Sequence, residues 1–341
     1  MESYIVARTD KIGDLVLSLP VAEAIKDSNS AARVTFVVSP VTMDLARACP
    51  FIDDVIPYEE SGTSPHRITR LAREMRKRKP GVGICLRPTF RVALAMVLAG
   101  ISTRAGTAYR YYSALFNRPV REHRRFAERH ELEYNLGILA AVLKIKDRPY
   151  LPRIVVPEAS KLYARKALAE RGLVEKGFVI VHPGSAKSAR NLPPAAYARV
   201  ADAIEADLRV RVLVTAGKDQ ADIVAEMDSH RKTRSLALVC APTLLDLVGV
   251  IGAARLFISG STGPMHLASA VGTPTLSFFS PVRSCSPRRW QPTGSHTRII
   301  MPPVAECPTC IGRRCEYYDC MQRIDPNEVI LAVKSSLEIS A

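Results

Sequence analysis

The chain has 341 residues, 47% of them apolar, so it is long enough for two domains that each bury a core. This composition excludes disordered and fibrous proteins. Lys and Arg number 48 against 33 Asp and Glu, and the net charge of +15 predicts an anionic partner: nucleic acid, an anionic membrane or a phosphorylated substrate.

The start, MESYIVARTDKIGDLV, has no basic segment before a long apolar core, so it does not resemble a secretory signal. The longest uncharged apolar stretch, about 92–101, has roughly half the length that a membrane span needs. We therefore expect a soluble protein that stays in the cytoplasm, where its cysteines are mostly reduced.

Short β-branched runs alternate with helical patterns in the first part of the chain. The predicted strands are 4–8, 34–38, 53–58 and 81–87, and the predicted helices include 14–26 and 67–79. Such alternation predicts a parallel sheet that is covered by helices on both faces.

The alternation is interrupted at 148–160, where three prolines oppose a helix and predict an extended linker. It then resumes, with predicted strands at 178–184, 209–217, 236–240, 256–260 and 274–279 and helices at 194–206, 243–254 and 326–338. We predict a first Rossmann-like domain over 1–153, a second over 154–322 and a final helical segment over 323–341. Such a pair is expected to bind its ligand between the carboxyl ends of the two sheets.

The loop after the first strand, RTDKIGDLVLSLP (8–20), contains a candidate base. Gly13 permits a tight turn, and Asp14 then lies in the first turn of the next helix, whose N-terminus favours an ionised carboxylate near neutral pH. Such a group can act as a general base where a substrate hydroxyl reaches it. The alternative is an Asp that only stabilises the helix start.

A second candidate loop, VHPGSAKSARNLPP (181–194), also follows a strand. Gly184 and Ser185 allow backbone N–H groups to approach a phosphate, and Lys187 and Arg190 would neutralise it. The loop is not a Walker motif, and an ordinary surface loop remains the alternative.

The third loop, ISGSTGPMHLASAVGTP (258–274), runs into a helix that begins near a proline. Ser261, Thr262 and the N–H groups near Gly263 form a candidate diphosphate cradle, and His266 lies in the first helical turn. A weaker signal is Asp219, a candidate ribose contact in TAGKDQ.

These segments, taken in order, resemble glycosyltransferase family 9, the ADP-heptose:lipopolysaccharide heptosyltransferases, nearly from end to end. The matching segments are Arg8, Ile12–Asp14 and Leu19–Pro20 in the opening R-x-x-x-I-G-D…L-P, the His-Pro-Gly-Ser loop at 182–185, Ser-Thr-Gly-Pro-Met-His-Leu-Ala at 261–268, and the Cys-rich tail before the final helix. Each motif alone is moderately specific, and their common order strengthens the match.

The resemblance implies the GT-B fold, in which two parallel sheets face a central cleft and the final helix crosses back to the first domain. It implies an inverting transfer from an ADP-sugar donor that requires no cofactor or catalytic metal. The family's catalytic carboxylate corresponds to Asp14, and the loops at 184–190 and 261–266 would hold the leaving ADP.

This sequence departs from the family pattern in two places. Many relatives have Asp-Thr-Gly or Asp-Ser-Gly where Ser261, Thr262 and Gly263 stand here, and the missing acid leaves the donor sugar open. The stretch 190–193, Arg-Asn-Leu-Pro, replaces the usual Lys-Arg-Trp-Pro.

Two basic runs, 66–79 and 118–130, carry much of the excess positive charge. Family members act on a phosphorylated lipid-linked oligosaccharide at the inner face of the cytoplasmic membrane, and a basic first domain would attract both that acceptor and the anionic leaflet. The candidate acceptor-binding residues are Gly13, Arg110, Arg121, Arg124 and Arg125. The alternative is that these runs are solvated helix faces.

Four cysteines, Cys307, Cys310, Cys315 and Cys320, are clustered in the tail. They suffice for a tetrahedral zinc or an iron–sulfur cluster, although their spacing matches neither a zinc ribbon nor a ferredoxin. A structural zinc, a disulfide and free thiols all remain open.

Two rival functions remain. One is a GT-B enzyme with another nucleotide sugar, which the departure at Ser261 favours. The other is a basic, non-enzymatic binder of nucleic acid or a membrane surface. Aromatic residues are only 6% of the chain and do not interleave with the basic runs, which argues against nucleic acid.

Overall fold

The computed structural model describes residues 2–60, 66–186 and 189–339, and the predicted phosphate-binding Lys187 lies outside these ranges. The chain divides into two compact units. The first comprises Met1–Arg124 and Arg129–Val155, and the second comprises Arg125–Glu128 and Val156–Ala341. The division after Val155 lies inside the predicted linker, where 149–157 form neither helix nor strand.

Within the described residues, the first unit contains a six-stranded sheet in the order β3-β2-β1-β4-β5-β6, and every neighbouring pair is parallel. Its strands are β1 (Ser3–Arg8), β2 (Arg33–Val38), β3 (Asp54–Pro57), β4 (Val82–Cys85), β5 (Thr103–Thr107) and β6 (Arg118–Val120). β1 is central, and Ile5 and Val6 are fully buried. The predicted parallel sheet is therefore confirmed.

Helices cover this sheet. They are α1 (Ile12–Val16), α2 (Pro20–Ser28), α3 (Met43–Arg47), α4 (His66–Lys77), α5 (Phe90–Leu98) and α6 (Glu131–Ala140). The prediction of one helix over 14–26 is wrong. Proline has no N–H to continue a helix but suits the first turn of a new one. Helix α1 therefore ends at Val16, and α2 begins at Pro20.

The described part of the second unit repeats this architecture with the strand order β12-β11-β10-β7-β8-β9, again parallel throughout. Its strands are β7 (Phe178–His182), β8 (Arg211–Ala216), β9 (Leu236–Val239), β10 (Leu256–Gly260), β11 (Thr275–Phe278) and β12 (Thr297–Ile300). Its helices are α7 (Glu158–Ala169), α8 (Pro194–Asp207), α9 (Ala221–Ser229), α10 (Leu244–Ala253), α11 (Gly263–Ala270), α12 (Pro287–Trp290) and α13 (Pro326–Ile339).

The final helix, α13, contributes Val329, Val333 and Leu337 to the buried core of the second unit. The expected packing of 323–341 on the first domain stays a prediction. No helix in the described ranges combines the length and the apolarity needed to cross a bilayer.

Because all strands of a parallel sheet point the same way, their carboxyl ends lie along one edge. In the first unit this edge carries the loops after β1, β4, β5 and β6. In the second unit it carries the loops after β7, β8, β10 and β11. We call these the first edge and the second edge.

Candidate functional site

Asp14 lies on the first edge, in the first turn of the short helix that follows β1, as predicted. Its side chain is 18% exposed, so a substrate group can reach it. The Nη2 atom of Arg8 donates to its Oδ1 atom, and the Ser18 hydroxyl donates to its backbone carbonyl at 2.8 Å. The carboxylate is thus held by the end of β1, and Ser18 holds the backbone of the same residue.

Arg8, the last residue of β1, is almost fully buried and pairs with several acidic groups. Its Nε atom donates to Asp10 at 2.7 Å, and its Nη1 atom donates to Glu131 at 3.0 Å and to Asn135 at 3.2 Å. A buried guanidinium is tolerated only when it is paired in this way. Arg8 therefore connects the base candidate to helix α6.

Glu131 has no exposed side-chain surface, and two arginines share it. Arg124 donates to Glu131 at 2.8 Å, to Asn135 at 3.1 Å and to the Leu86 carbonyl at 3.0 Å. Arg124 was predicted to contact the acceptor. In the structure it supports the buried network, so its acceptor contact stays a prediction.

Burial raises the pKa of Asp14 to about 6. Arg8 opposes this shift, whereas the negative charges of Asp10 and Glu131 add to it. Asp14 is therefore still mostly ionised near neutral pH, as expected. Its pKa lies closer to 7 than the effect of a helix N-terminus alone would place it. A carboxylate with a pKa just below 7 is well suited to accept a proton at neutral pH.

The other predicted acceptor-binding residues have separate positions. Gly13 is buried as the second residue of α1. Arg110 follows β5 and Arg121 follows β6, and both are exposed. Arg125 is also exposed, and its guanidinium lies 4.6 Å from the centre of the Phe126 ring.

On the second edge, β7 ends at His182, which is buried and within 2.9 Å of the Thr215 hydroxyl. Burial lowers its pKa to about 4, so this imidazole is neutral near pH 7 and structural. The next residues lie close to the loop after β8. A Cβ at Gly184 would lie only 2.0 Å from the Gln220 side-chain oxygen, so this position requires glycine. Gln220 also donates to the Ser185 carbonyl at 3.2 Å.

Gln220 therefore joins the loops after β7 and β8, which was not predicted. The Gln220 side chain also accepts from the backbone N–H of Gly217 at 3.0 Å. Asp219 is exposed in the turn between them, and its ribose contact stays a prediction.

Asn191 organises the loop after β7, which was not predicted. Its amide donates to the Pro183 carbonyl at 2.8 Å, and its oxygen accepts from the Tyr197 hydroxyl at 2.8 Å and from the Leu192 N–H at 2.9 Å. A Cβ at Gly260 would lie 2.1 Å from that oxygen. The glycine thus allows the end of β10 and the loop after β7 to meet.

The predicted phosphate cradle follows β10. The Ser261 N–H donates to the Phe278 carbonyl at 3.1 Å, so it is used by the sheet. Thr262 is the N-cap of α11, yet its side chain makes no capping bond, and its buried hydroxyl has no partner among the described residues. Pro264 lacks an N–H, so Gly263 and Met265 supply the first helical donors. His266 is buried.

Arg190 is engaged by the Cys-rich segment. It donates to the Cys310 sulfur at 3.0 Å, lies 3.5 Å from the Asp319 carboxylate and stacks 5.4 Å from the Tyr318 ring centre. The hydrogen bond from Arg190 lowers the pKa of the Cys310 thiol, with further contributions from a backbone hydrogen bond at Gly312 and from the charge of Arg190. The predicted phosphate ligand is therefore oriented by a segment more than a hundred residues away in the chain.

The Cys-rich segment joins the second edge at Cys307, whose N–H donates to the Pro281 carbonyl at 3.0 Å. Every cysteine of the chain is a free thiol. Within the part of the chain that the structure describes, no three His, Cys, Asp or Glu side chains are placed to hold a metal ion. Cys307, Cys310, Cys315 and Cys320 are thus not joined in disulfides in this structure, and a structural zinc at these residues stays a prediction.

The sequence did carry a signal for the buried network. Glu131 and Asn135 are four residues apart on a largely apolar helix, ELEYNLGILA, and therefore lie on one face. Polar groups on a buried face need partners, which predicts paired side chains there. No comparable pattern identifies Gln220 or Asn191.

The chain matches the family model of glycosyltransferase family 9 (heptosyltransferase) over residues 68–320. It is 31% identical over 316 residues to a Haemophilus influenzae protein named "Putative glycosyltransferase", with 90% of each chain covered. A glycosyltransferase family 9 structure from Veillonella parvula has a TM-score of 0.88 at 20% identity, covering 98% of this chain and 97% of that one. The Escherichia coli ADP-heptose lipopolysaccharide heptosyltransferase II has a TM-score of 0.79 at 19% identity, covering 99% and 98%. The predicted GT-B fold is thereby confirmed.

Proposed function

Because this chain belongs to glycosyltransferase family 9, we propose that it transfers heptose from ADP-heptose to the inner core of lipopolysaccharide, with inversion and without a catalytic metal. Membership makes the chain a glycosyltransferase, which replaces the alternative of a non-enzymatic binder. Its fold is that of an enzyme named for ADP-heptose and lipopolysaccharide, which supports the choice of donor and acceptor. The observation that carries the mechanism is the Asp14 carboxylate, held by Arg8 and partly exposed.

In the proposed step, the Asp14 carboxylate accepts the proton of an acceptor hydroxyl. The hydroxyl oxygen forms a bond to the anomeric carbon of the donor, while the bond from that carbon to the diphosphate oxygen breaks. The electron pair of the broken bond leaves with ADP. Attack from the face opposite the leaving group inverts the anomeric configuration.

The second edge would stabilise the charge that grows on the departing diphosphate. The N-terminus of α11 offers the N–H groups of Gly263 and Met265, and the unpartnered Thr262 hydroxyl lies beside them. Arg190 adds a positive charge on the neighbouring loop, and Lys187 is assigned the same role from its sequence position.

The acceptor would be a phosphorylated, lipid-linked oligosaccharide. The net charge of +15 favours such a partner and also favours a peripheral position at the anionic inner face of the cytoplasmic membrane. Arg110, Arg121 and Arg125 are exposed and remain the proposed acceptor contacts.

A second candidate donor is another nucleotide sugar, because Ser261 stands where many relatives have an acid. The phosphate cradle does not depend on that side chain, whereas recognition of the sugar would. Comparing ADP-heptose with ADP-glucose and with UDP- and GDP-sugars separates these two donors.

The test follows ADP release from ADP-heptose with a heptose-free lipopolysaccharide core, in the presence of a chelator. The wild type should release ADP only with acceptor, and Asp14→Asn should lose about 10²- to 10⁴-fold of this rate, as expected for loss of a general base. Binding of ADP to Asp14→Asn should be unchanged, since ADP binds the second edge.

Asp10→Asn is the matched control, because Asp10 is also bonded to Arg8 but has no role in the proposed proton transfer. It should lose less than about tenfold, well below the loss at a general base. Equal losses in the two variants would refute the assignment of Asp14 as base. Transfer from another nucleotide sugar alone would refute the donor and leave the base assignment standing.

A further inference from the structure

The first edge carries exposed aromatic side chains that the proposed mechanism does not use. Phe90 begins α5 after β4, and Tyr109 and Tyr111 follow β5. Tyr111 is 86% exposed, Tyr109 43% and Phe90 40%, although rings of this size usually contribute to cores. We call Phe90, Tyr109 and Tyr111 the aromatic platform.

The rings of the platform are ordered by contacts with their neighbours. Phe90 stacks on Tyr111 with centres 6.1 Å apart, and the buried Tyr112 packs edge-on against Tyr111 at 4.9 Å. The Tyr112 hydroxyl donates to the Pro88 carbonyl, which fixes that ring to the loop after β4. These contacts bring Phe90 and Tyr111 together on the protein surface.

Two arginines follow the same strand as the platform or the strand next to it. Arg110 lies between two platform residues in the chain and Arg121 follows the adjacent strand β6, and neither forms an ion pair with a carboxylate among the residues that the structure describes. His123 stacks on Tyr109 at 3.6 Å. Arg78 and Arg129 in the same unit, by contrast, are paired with acidic side chains.

The platform lies on the same sheet edge as Asp14. In the strand order β1-β4-β5-β6, Asp14 follows β1, and the platform follows its neighbours β4 and β5. Adjacent strands are about 5 Å apart, so the strands β4 and β5, which precede the platform, lie roughly 5–10 Å from β1. A short oligosaccharide spans that distance.

We propose that the aromatic platform, together with Arg110 and Arg121, binds the acceptor oligosaccharide beyond the sugar that is glycosylated. This inference rests on the proposed function and deepens it. The aromatic faces carry negative partial charge and attract the C–H groups of sugar rings, while the arginines pair with phosphate groups on the same oligosaccharide. Charge complementarity selects a phosphorylated acceptor over a neutral one.

Direct binding of a deacylated, phosphorylated inner-core oligosaccharide, measured by calorimetry, tests the platform without turnover. Tyr111→Ala should weaken this binding about two- to tenfold, the range of one aromatic contact. Arg110→Gln should weaken binding of the phosphorylated oligosaccharide but not of a phosphatase-treated sample. Leu162→Ala, an exposed apolar residue in the second unit, is the control and should bind like the wild type.

Unchanged binding in a Tyr111→Ala, Arg110→Gln double variant of wild-type melting temperature would overturn the platform and leave the proposed transfer intact. If the double variant lost only its affinity for vesicles of anionic phospholipid without oligosaccharide, the platform would be a membrane contact and the proposal would be wrong. Oligosaccharide binding that depends on Tyr111 in a protein that does not turn over ADP-heptose would support the platform and refute the donor.

Discussion

The two edges bear different kinds of site. On the first edge, Arg8, Arg124 and three carboxylates form a buried network of charges that ends at Asp14. On the second edge, glycines, side-chain amides and helix N–H groups shape the loops. One positive charge there is that of Arg190, which the Cys-rich segment holds. The proposed proton acceptor and the proposed diphosphate site are thus built by different means in two units of similar topology.

The difference follows from what each chemistry requires. A general base needs its pKa near the working pH, and burial beside other charges is an effective way to shift a carboxyl group. A diphosphate already carries its charge, so the protein needs close-approaching N–H donors rather than a tuned acid. The first edge accordingly carries buried charged side chains, whereas the second edge carries small residues that allow close approach.

The largest expected effect is at Arg8. Arg8→Gln leaves Asp10, Asp14 and the buried Glu131 with less positive charge, and breaking such a buried pair costs about 3–5 kcal/mol. Urea unfolding measures this loss. Arg78→Gln is the control, because Arg78 also bonds two carboxylates but lies nearer the surface, where an ion pair contributes about 1 kcal/mol or less. Equal losses of unfolding free energy in Arg8→Gln and Arg78→Gln would show that burial of the Arg8 network does not add to stability.

On the second edge, the largest effect is expected at Gly260. In Gly260→Ala the new methyl group meets the oxygen of the Asn191 side-chain amide, which three hydrogen bonds hold in place, and overpacking of this kind costs about 1–3 kcal/mol. ADP affinity, measured by calorimetry, should fall, because the loops after β7 and β10 are pushed apart. Gly252→Ala, whose nearest contact is 4.0 Å away, should bind ADP normally. Normal ADP affinity in Gly260→Ala would mean that this contact does not shape the donor site.

The pH dependence of activity tests the tuning of Asp14. Only the carboxylate accepts a proton, so kcat/KM should be level above a pH of about 6 and fall tenfold per unit below it, because the pKa of Asp14 is raised to about 6. Asp10→Asn removes a negative charge that raises this pKa, so its acid limb should move to lower pH. An unmoved limb, or one that moves upward, would contradict the electrostatic account.

Most of the fold was predictable because long β-branched runs and amphipathic helices were present. The strands that were missed, β5, β6 and β12, are short, and TRAGT and RPV lack an apolar run. These segments are strands because they pair with neighbours in the sheet, not because of local preference. A single sequence does not display such pairing.

The candidate site was predictable only where the backbone carries the signal. Asp14 and the loops after β7 and β10 follow strands and precede helices, so their positions were evident. The pairing of Arg8 with Glu131 joins residues 123 positions apart, and the contact between Gly260 and Asn191 depends on loop packing. Such long-range contacts have no local pattern, which explains why Asn191 and Gln220 were missed.

The smallest expected effect concerns the thiol that orients Arg190. Because Arg190 lowers the pKa of Cys310, this cysteine has more thiolate near neutral pH and should react faster with iodoacetamide. Arg190→Met should slow that reaction severalfold, as peptide mass spectrometry would show, while the exposed Cys240 in the same sample serves as the reference. Excess ADP should slow the reaction of Cys310 in the wild type, because a diphosphate that recruits Arg190 weakens its bond to the thiol, and it should have no effect in Arg190→Met. A Cys310 rate that is insensitive to both the substitution and ADP would separate the Cys-rich segment from the donor site.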